Sequence, residues 1–516
     1  MAGSPSRPLR VVVVGGGTAG WMSAAGIRSQ LRAQDYAVTL IESDEIGTVG
    51  VGEATLPHIK LFNDMLGIDE AQFMRATRAT FKLGIQFCDW ARPGAGYIHP
   101  FGAFGEPWGG VEFQHHYFRS LRAGCQRFSL QDYSYAVVAA RSNAFEFPSE
   151  DRRSVGSTYA YAYHFDAGLY AAFLRSWAIE RGVHRIEGRV CEVTRNPTSG
   201  DVVELTLKSG ERIAGDLFID CSGFRSLLLG DIMGVAWRDW THWLPCDRAL
   251  AVPCKRAGAL TPYTRATARL AGWTWRIPLQ HRTGNGYVFS SQFTDPDRAQ
   301  EALLAVLDGT AQGEPRLLRF SPGRRERAWS GNCVAIGLAS GFLEPLESTS
   351  IYLIQAAVTD LVRLMPRPGS TGTDPRLVAE FNRLNDMQYE RIRDFLILHY
   401  TANGRVGEPL WDYVRSMPLP DSLVHKLQLF RARAALPNHQ YGLFARDSWL
   451  AVLVGQGIAP EGHDGLAAAF PLPTLEERMT EFRGRIQTNV DAMSSHGAFI
   501  ARYCPAEVSA SEEAAA

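Results

Sequence analysis

The chain has few cysteines, and they form no pattern that binds metal. Its eight cysteines are scattered along 516 residues without a C-x-x-C pair, which argues against a zinc site and is typical of reduced thiols in a cytosolic setting. The adjacent His115 and His116 have no carboxylate or cysteine at ligand spacing, so an ordinary structural role is the favoured interpretation. The sequence therefore predicts no metal centre.

The chain also lacks a long apolar run and an excess of charge of either sign. No stretch approaches the length needed to cross a bilayer, and the valines at 11–14 are too few for a signal peptide. With 53 basic and 54 acidic residues, the formal net charge is −1. Such a chain has no overall field that gathers nucleic acid or an anionic membrane. We expect a cytoplasmic protein that binds neither, with disordered ends at 1–7 and 507–516.

The most informative stretch lies between residues 10 and 42. Its valines predict a buried strand, and Gly15, Gly17 and Gly20 follow in G-x-G-x-x-G spacing where a helical pattern begins. In that spacing the first glycine permits a tight turn, the second admits a pyrophosphate and the third lets helix and strand pack closely. A second strand ends at Glu42, whose carboxylate can accept hydrogen bonds from a ribose. Together these features predict a βαβ unit that binds a dinucleotide.

Strand patterns dominate the chain up to about residue 340, whereas the pattern from residue 375 onward is mainly helical and interrupted by prolines. We therefore predict a mixed α/β protein. A discontinuous dinucleotide-binding module, residues 8–90 plus 150–366, is expected to pack against an aromatic-rich, mainly helical substrate module, residues 91–149 plus 367–506. Substrate pockets tend to form between such modules.

Three features allow both a structural and a chemical interpretation. Trp273 and Trp275 share one face of a predicted strand, where two tryptophans usually belong to a sheet core. Lys82 lies on the face opposite the apolar residues of its strand. A lysine there is usually solvated, but a buried one would have a reactive amine. Residues 348–350 suit an ordinary helix cap, and equally a site where helix N–H groups bind an anion.

Together these motifs resemble the flavin-dependent tryptophan halogenases. The W-x-W-x-I-P element separates that family from ordinary flavin hydroxylases. The resemblance to the family implies an FAD-binding fold of the flavin monooxygenase type. The matching elements run in the family's order to about residue 400 and are Gly15 to Gly20 with Trp21, Gly50-Val-Gly-Glu-Ala-Thr55, Phe81-Lys82, Trp273-x-Trp275-x-Ile277-Pro278, Pro345-Leu-Glu-Ser-Thr349 and Asp394-Phe-Leu-Ile-Leu-His-Tyr400.

The resemblance implies a halogenase that uses FADH2 from a separate NAD(P)H-dependent flavin reductase. With O2, chloride or bromide would be oxidised to hypohalous acid at the flavin, and Lys82 would pass the halogen to an electron-rich aromatic substrate. Glu347 matches the family's essential carboxylate and would accept the proton lost from the ring. Thr349 and Ser350 would bind halide through backbone N–H groups, although the family usually has glycine at the second of these positions.

Further roles are implied in the same way. Trp273 and Trp275 would shield the flavin from the substrate, and His99 with Phe101 would form one side of a clamp around the substrate ring. The implied flavin contacts are Gly15, Gly17, Thr18, Ala19, Gly20, Glu42, Val51, Gly52, Ala54, Gly337 and Leu338.

The residues that form the other side of the clamp in tryptophan-specific members have no counterpart in this sequence. Residues 429–450 lack the Tyr-Tyr pair and the glutamate that, in tryptophan-specific members, are among the residues holding the amino acid's charged groups. A buried ammonium without a carboxylate is costly, so we expect indole or a related aromatic rather than free tryptophan. An FAD-dependent aromatic monooxygenase is the alternative function, and a flavoprotein that senses redox state is a third. The ring position, the halide, the reductase and the oligomeric state, a homodimer included, stay open.

Overall fold

The computed structural model describes residues 7–45, 52–125, 127–370, 372–436 and 442–506. Within these residues the strands are, in chain order, β1 (Leu9–Val14), β2 (Tyr36–Glu42), β3 (Gly52–Ala54), β4 (Thr80–Lys82), β5 (Gly84–Cys88), β6 (Gly96–Pro100), β7 (Ala162–Asp166), β8 (His184–Glu187), β9 (Val190–Arg195), β10 (Val202–Leu207), β11 (Arg212–Ala214), β12 (Leu217–Asp220), β13 (Trp237–Asp239), β14 (Arg248–Lys255), β15 (Thr264–Arg269), β16 (Gly272–Pro278), β17 (Arg282–Phe289), β18 (Arg316–Arg319), β19 (Gly323–Arg325), β20 (Trp329–Ser330), β21 (Cys333–Ala335) and β22 (Gly341–Phe342). The α-helices of the same residues are α1 (Thr18–Gln30), α2 (His58–Leu66), α3 (Glu70–Ala76), α4 (Phe113–Arg122), α5 (Tyr135–Arg141), α6 (Ala167–Glu180), α7 (Pro296–Leu304), α8 (Ser350–Leu364), α9 (Pro375–Thr401), α10 (Pro409–Ser416), α11 (Asp421–Arg433), α12 (Arg446–Gly455), α13 (Leu472–Asp491) and α14 (His496–Tyr503).

The chain divides into two compact units, each built from three segments. Unit 1 comprises Met1–Ala79, Phe165–Pro245 and Phe320–Glu390, and unit 2 comprises Thr80–His164, Cys246–Arg319 and Arg391–Ala516. These boundaries differ from the modules predicted from the sequence. Residues 80–90, 150–164 and 246–319 belong to unit 2, and residues 367–390 belong to unit 1.

Unit 1 contains a six-stranded sheet in the order β20-β21-β12-β1-β2-β8. Its strands are parallel apart from the pairing of β20 with β21. The four valines of β1 are buried because β12 and β2 flank this central strand. A parallel strand covered on both faces reads as a continuous apolar run. The carboxyl ends of β1, β2 and β21 share one edge of the sheet, where ligands bind in folds of this type.

Unit 2 contains a seven-stranded sheet in the order β18-β14-β17-β16-β15-β5-β6. Its pairings are antiparallel except for that of β5 with β15. The short strand β4, just before β5, pairs instead with β7, in a register that sets Thr80 opposite His164 and Lys82 opposite Ala162. Unit 2 therefore has this sheet in addition to its helices.

All eight cysteines are free thiols, in agreement with the reduced state expected from the sequence. In the described parts of the chain, no helix combines the length and the apolarity that a membrane span requires.

Candidate active site

Two glycines of the first loop are required by the backbone that surrounds them. Gly15 has a φ of +114°, and a Cβ atom there would lie 2.3 Å from the carbonyl oxygen of Cys221. At Gly20, in the first turn of α1, a Cβ atom would lie 1.8 Å from the carbonyl oxygen of Gly15. Both positions therefore accept only glycine, as the fingerprint predicted.

Gly17 differs from these two glycines because the space beside it is open. It is the N-cap of α1 and has ordinary backbone angles, and no atom of the described residues lies within 4 Å of where its Cβ would stand. The first turn of α1, which begins with Thr18 and Ala19, has no side-chain cap and no acidic residue. The free N–H groups of this helix end thus face open space without a competing anion, which fits the pyrophosphate of FAD.

Glu42, the residue predicted to bind a ribose, ends β2 and is already engaged by other side chains. Its carboxylate accepts hydrogen bonds from Trp21 Nε1 at 3.1 Å and from Arg185 Nε at 2.5 Å, and it forms an ion pair with Arg175 at 3.3 Å. The ribose contact stays a prediction. Trp21 directly follows the glycine motif, and its contact with this carboxylate could not be predicted from the sequence.

Gly337 and Leu338 follow β21 and are half-buried. Gly337 has a φ of +71°, and a Cβ atom there would lie 2.8 Å from the Cβ of Ala19, so the chain after β21 lies against the start of α1. Gly52 and Ala54 are buried at the two ends of β3. Val51 lies outside the described residues. The structure therefore brings Gly337 together with the glycine loop, whereas the flavin contacts themselves remain predictions.

Two buried carboxylates lie in the segment before α8. Glu347 ends a short 3₁₀ turn, and both Glu344 and Glu347 are 0% exposed. The backbone then passes through Ser348 at a φ of +59°, a conformation that few residues other than glycine adopt. Glu344 belongs to the same sequence motif, but its burial could not be predicted from the sequence.

Thr349 is the N-cap of α8, but its side chain does not act as an ordinary cap. The residue is fully buried and makes no side-chain capping bond, and its Oγ1 has no hydrogen-bond partner among the residues that the structure describes. A buried hydroxyl without a partner is costly, so this helix end is one where a bound ligand would compensate. Ser350 is the first residue of the helix and is partly exposed. The halide site predicted at these two residues fits this arrangement and remains a prediction.

Lys82 is 0% exposed, which decides between the two interpretations of this residue: it is buried. Its Nζ lies 5.0 Å from the centroid of the Phe101 ring. The N–H of Phe101 donates to the carbonyl of Leu83 at 2.8 Å, so the backbone fixes the aromatic ring beside the lysine. Ala162 faces Lys82 across the strand pair and leaves room for the long side chain. Lys82 and Glu347 belong to different units, and their pairing remains a prediction.

His99 lies in a group of aromatic side chains, here named the aromatic cluster: His99, Phe395, Phe444 and Trp449. The ring centroid of Phe395 is 5.6 Å from that of His99, 5.0 Å from that of Trp449 and 3.9 Å from that of Phe444, on which it stacks. Phe444 is also 6.0 Å from His99. Sequence reasoning found His99 but missed its partners, although Phe395 belongs to a motif it had noted.

Asp394 lies directly before Phe395 and is 2% exposed. It accepts two hydrogen bonds from Arg393 and one from Ser422 at 2.6 Å, and it forms an ion pair with Lys426 at 3.5 Å. The Nζ of Lys426 in turn lies 4.6 Å from the ring of Trp449 in the aromatic cluster. A carboxylate has about four acceptor sites, so these contacts leave Asp394 little capacity for a further cation.

Trp273 and Trp275 lie on one face of β16 and are 1% and 9% exposed. Their ring centroids are 6.1 Å apart. Trp90 extends the group at 6.4 Å from Trp273. On β17, a Cβ atom at Gly286 would lie 2.0 Å from the Trp275 ring, so this glycine makes room for the indole. The pair thus forms part of the sheet core, and its role in shielding a flavin stays a prediction.

Comparisons with known proteins identify relatives that match almost the whole chain. Residues 10–472 match the family model for tryptophan halogenase. Tryptophan 6-halogenase SttH of Streptomyces toxytricini is 36% identical over 96% of this chain and 98% of its own. Among solved structures, Xcc4156, a flavin-dependent halogenase from Xanthomonas campestris, has a TM-score of 0.93 and 46% identity, covering 98% of this chain and 100% of its own. BrvH, a flavin-dependent halogenase from Brevundimonas sp. BAL3, has a TM-score of 0.92 and 43% identity over 97% and 100%.

Proposed function

Because the chain belongs to the tryptophan halogenase family, we propose that its Lys82 transfers the halogen of hypohalous acid to an indole or a substituted indole. Enzymes of this family are flavin-dependent halogenases that use FADH2 and require a separate flavin reductase, halide, O2 and an aromatic substrate. The observation that carries the proposal is the complete burial of Lys82 beside the Phe101 ring.

The open space at Gly17 and the uncapped start of α1 support the assignment of the glycine loop as the place where the cofactor binds. When bound, reduced FAD with O2 supplies the oxidising power that converts halide into hypohalous acid. The chain's own contribution is to bind the pyrophosphate through the N–H groups of α1. At the start of α8, Thr349 and Ser350 would hold the halide through backbone N–H groups.

Lys82 holds the hypohalous acid by a hydrogen bond or as a haloamine, and either form directs the halogen to one aromatic carbon. In the overall step the halogen–oxygen bond breaks, a carbon–halogen bond forms, and the ring loses one proton. Ring hydrogen and hypohalous acid thereby give the aryl halide and water. Glu347 is the proposed acceptor of the ring proton. Apolar surroundings at Lys82 exclude water that would compete for the electrophile.

Free tryptophan is the less suitable substrate for the aromatic cluster. Its ammonium would need a carboxylate partner once buried, and Asp394, the buried carboxylate adjoining Phe395, is already held by an arginine, a serine and a lysine. An indole without charged groups avoids this cost, since its rings need only the flat surfaces of His99, Phe395 and Phe444.

Lys82→Met tests the role of the lysine. The variant should lose aromatic halogenation while it still oxidises halide, measured as hypohalous acid captured by a soluble trap in the presence of FAD, a flavin reductase and NADH. Lys255→Met replaces an exposed lysine of the same unit and is the matched control. Normal aromatic halogenation by Lys82→Met would refute the proposal, and oxygenated products without halogen would favour the monooxygenase alternative.

The substrate is tested by mass spectrometry of reactions with indole, substituted indoles and tryptophan in chloride or bromide. We expect the halogen isotope pattern to appear faster on the uncharged indoles. Clearly faster turnover of tryptophan would contradict this part of the proposal and leave the role of Lys82 intact.

A further inference from the structure

A chain of buried hydrogen bonds connects the strand that carries Lys82 to the strand of the tryptophan pair. Thr80 and Lys82 point to the same face of β4 because side chains alternate along a strand, and His164 faces Thr80 from β7. The Thr80 hydroxyl donates to the carbonyl oxygen of Pro278 at 2.7 Å, and His164 Nδ1 lies 3.0 Å from the same Oγ1. Since Thr80 gives its only hydroxyl proton to Pro278, its oxygen accepts from the Nδ1–H of His164.

These bonds also determine which nitrogen of the His164 ring carries the proton. With the proton on Nδ1, Nε2 is free to accept from the hydroxyl of Thr264 at 3.0 Å. The ring is fully buried. Burial, followed by the neighbouring charge of Lys82, holds the pKa of His164 well below its ordinary value. His164 is therefore a neutral ring in one tautomer, with both nitrogens engaged, two register positions from the lysine.

A second neutral histidine holds the residue between Thr80 and Lys82. His496 of α14 donates from Nδ1 to the carbonyl oxygen of Leu260 at 2.9 Å, because a carbonyl can only accept. Its Nε2 accepts from the backbone N–H of Phe81 at 3.1 Å. The two rings thus hold successive residues of β4. This strand has only three residues, too few for its own ladder of hydrogen bonds to fix it firmly.

We propose that His164 is a positioning residue for Lys82, which it holds beside the Phe101 ring by tying β4 through Thr80 to Pro278 at the end of β16. This inference rests on the proposed role of Lys82 in halogen transfer. It assigns to His164 no contact with the halogen or the substrate.

Three variants test the inference. His164→Asn retains an N–H donor at the position of Nδ1, His164→Leu removes both hydrogen bonds, and Thr80→Val removes the bridging hydroxyl at nearly unchanged volume. The readout is the partition of oxidised halogen between the aromatic product and a soluble trap for hypohalous acid. His164→Leu and Thr80→Val should lower the transferred fraction by about tenfold, the effect expected for one buried hydrogen bond. Total halide oxidation should stay within about twofold, because the variants do not alter the flavin-binding loop.

The conservative variant and the double variant sharpen the test. His164→Asn should recover most of the transfer. The Thr80→Val/His164→Leu double variant should transfer at least as large a fraction of the halogen as the single variant with the lower transfer. The two substitutions act through one chain of hydrogen bonds, so their effects should not add. His184→Asn, which replaces an exposed histidine of β8, is the matched control and should behave as the unaltered protein.

Two results would overturn the inference. One is an unaltered transferred fraction in Thr80→Val and His164→Leu, and the other is an equal fall of halide oxidation and transfer, which indicates a structural role alone. Lys82→Met separates these results from a failure of the proposed function. If Lys82→Met abolishes transfer while the His164 variants do not alter it, only the role of His164 is wrong.

Discussion

Lys82, Glu347 and Thr349 are each fully buried although their side chains are polar. Removing such groups from water costs free energy unless a partner or a bound ligand compensates. Buried polar groups in a cleft are therefore typical of functional sites. Single-sequence reasoning identified these three residues through motifs. It left the burial of Lys82 open, because burial depends on β7, which packs against β4 from about 80 residues further along the chain.

Glu347→Gln removes a charge at the proposed proton acceptor and keeps the shape of the side chain. Loss of a general base usually costs at least about 100-fold, so the rate of aromatic halogenation should fall by about that factor. Halide oxidation, measured with the soluble trap, should continue. Glu326→Gln replaces an exposed glutamate of the same unit as control. Halogenation within about threefold of the unaltered protein would show that another group accepts the proton.

His496 makes the stability of the protein depend on pH. Burial lowers the pKa of His496 to about 4, below the ordinary value of a histidine, so the unfolded chain binds a proton more readily than the folded one. The free energy of unfolding should therefore be constant with respect to this group above about pH 6.5 and should fall as the pH drops towards 4. The expected loss is about 3 kcal/mol.

His496→Gln isolates this contribution, because the amide can still accept from Phe81 but does not titrate. Denaturant unfolding at several pH values between 4 and 7 should give a shallower pH dependence for the variant than for the unaltered protein. Other titratable groups near the same strand, among them Lys82, Tyr163 and His164, are unchanged in both proteins. Parallel curves would mean that burial does not lower the pKa of His496 in the folded protein.

At the scale of elements, two substitutions in the glycine loop and α1 distinguish an effect on folding from an effect on cofactor binding. Gly17→Ala adds a methyl group at a point that no atom in the described part of the chain approaches within 4 Å, so the thermal midpoint of the FAD-free protein should hardly change. The same methyl group occupies the space proposed for the pyrophosphate, and the Kd for FAD should rise at least about tenfold. Gly20→Ala drives its methyl group into the carbonyl of Gly15 and should lower the thermal midpoint itself. Unaltered FAD binding by Gly17→Ala would place the cofactor elsewhere.

Elements defined by local spacing could be predicted from the sequence, whereas partners distant in the chain could not. The βαβ unit depends on contacts within about 30 residues, and its glycine spacing directly indicates the geometry of the turn between strand and helix. Phe395 and Phe444 stack although the end of α9 and the whole of α10 and α11 separate them in the chain. The periodicity of the local sequence does not indicate that contact. The aromatic neighbours of His99 therefore emerged only from the structure.

At the scale of the whole molecule, the division into units shows why the predicted module boundaries differ. The sequence predicts strands around residues 269–293, within the segment 246–319 of unit 2, and a sequence pattern cannot tell which sheet a strand joins. These strands form one sheet with β5 and β6, which come more than 140 residues earlier. The fold class itself follows from the alternation of strands and helices, and the similarity to halogenase structures over 98% of the chain confirms it.

The charge of the whole molecule bears on how it obtains FADH2. A formal net charge of −1 from 53 basic and 54 acidic residues provides no long-range attraction for a reductase of either sign. Two flavin reductases of opposite net charge, adjusted to release FADH2 at the same rate, should therefore support halogenation at rates within about twofold of each other, even at low ionic strength. Product formation followed by mass spectrometry gives both rates. If one reductase supported a rate about tenfold higher at equal FADH2 output, transfer of the reduced flavin would require a specific complex between the two proteins.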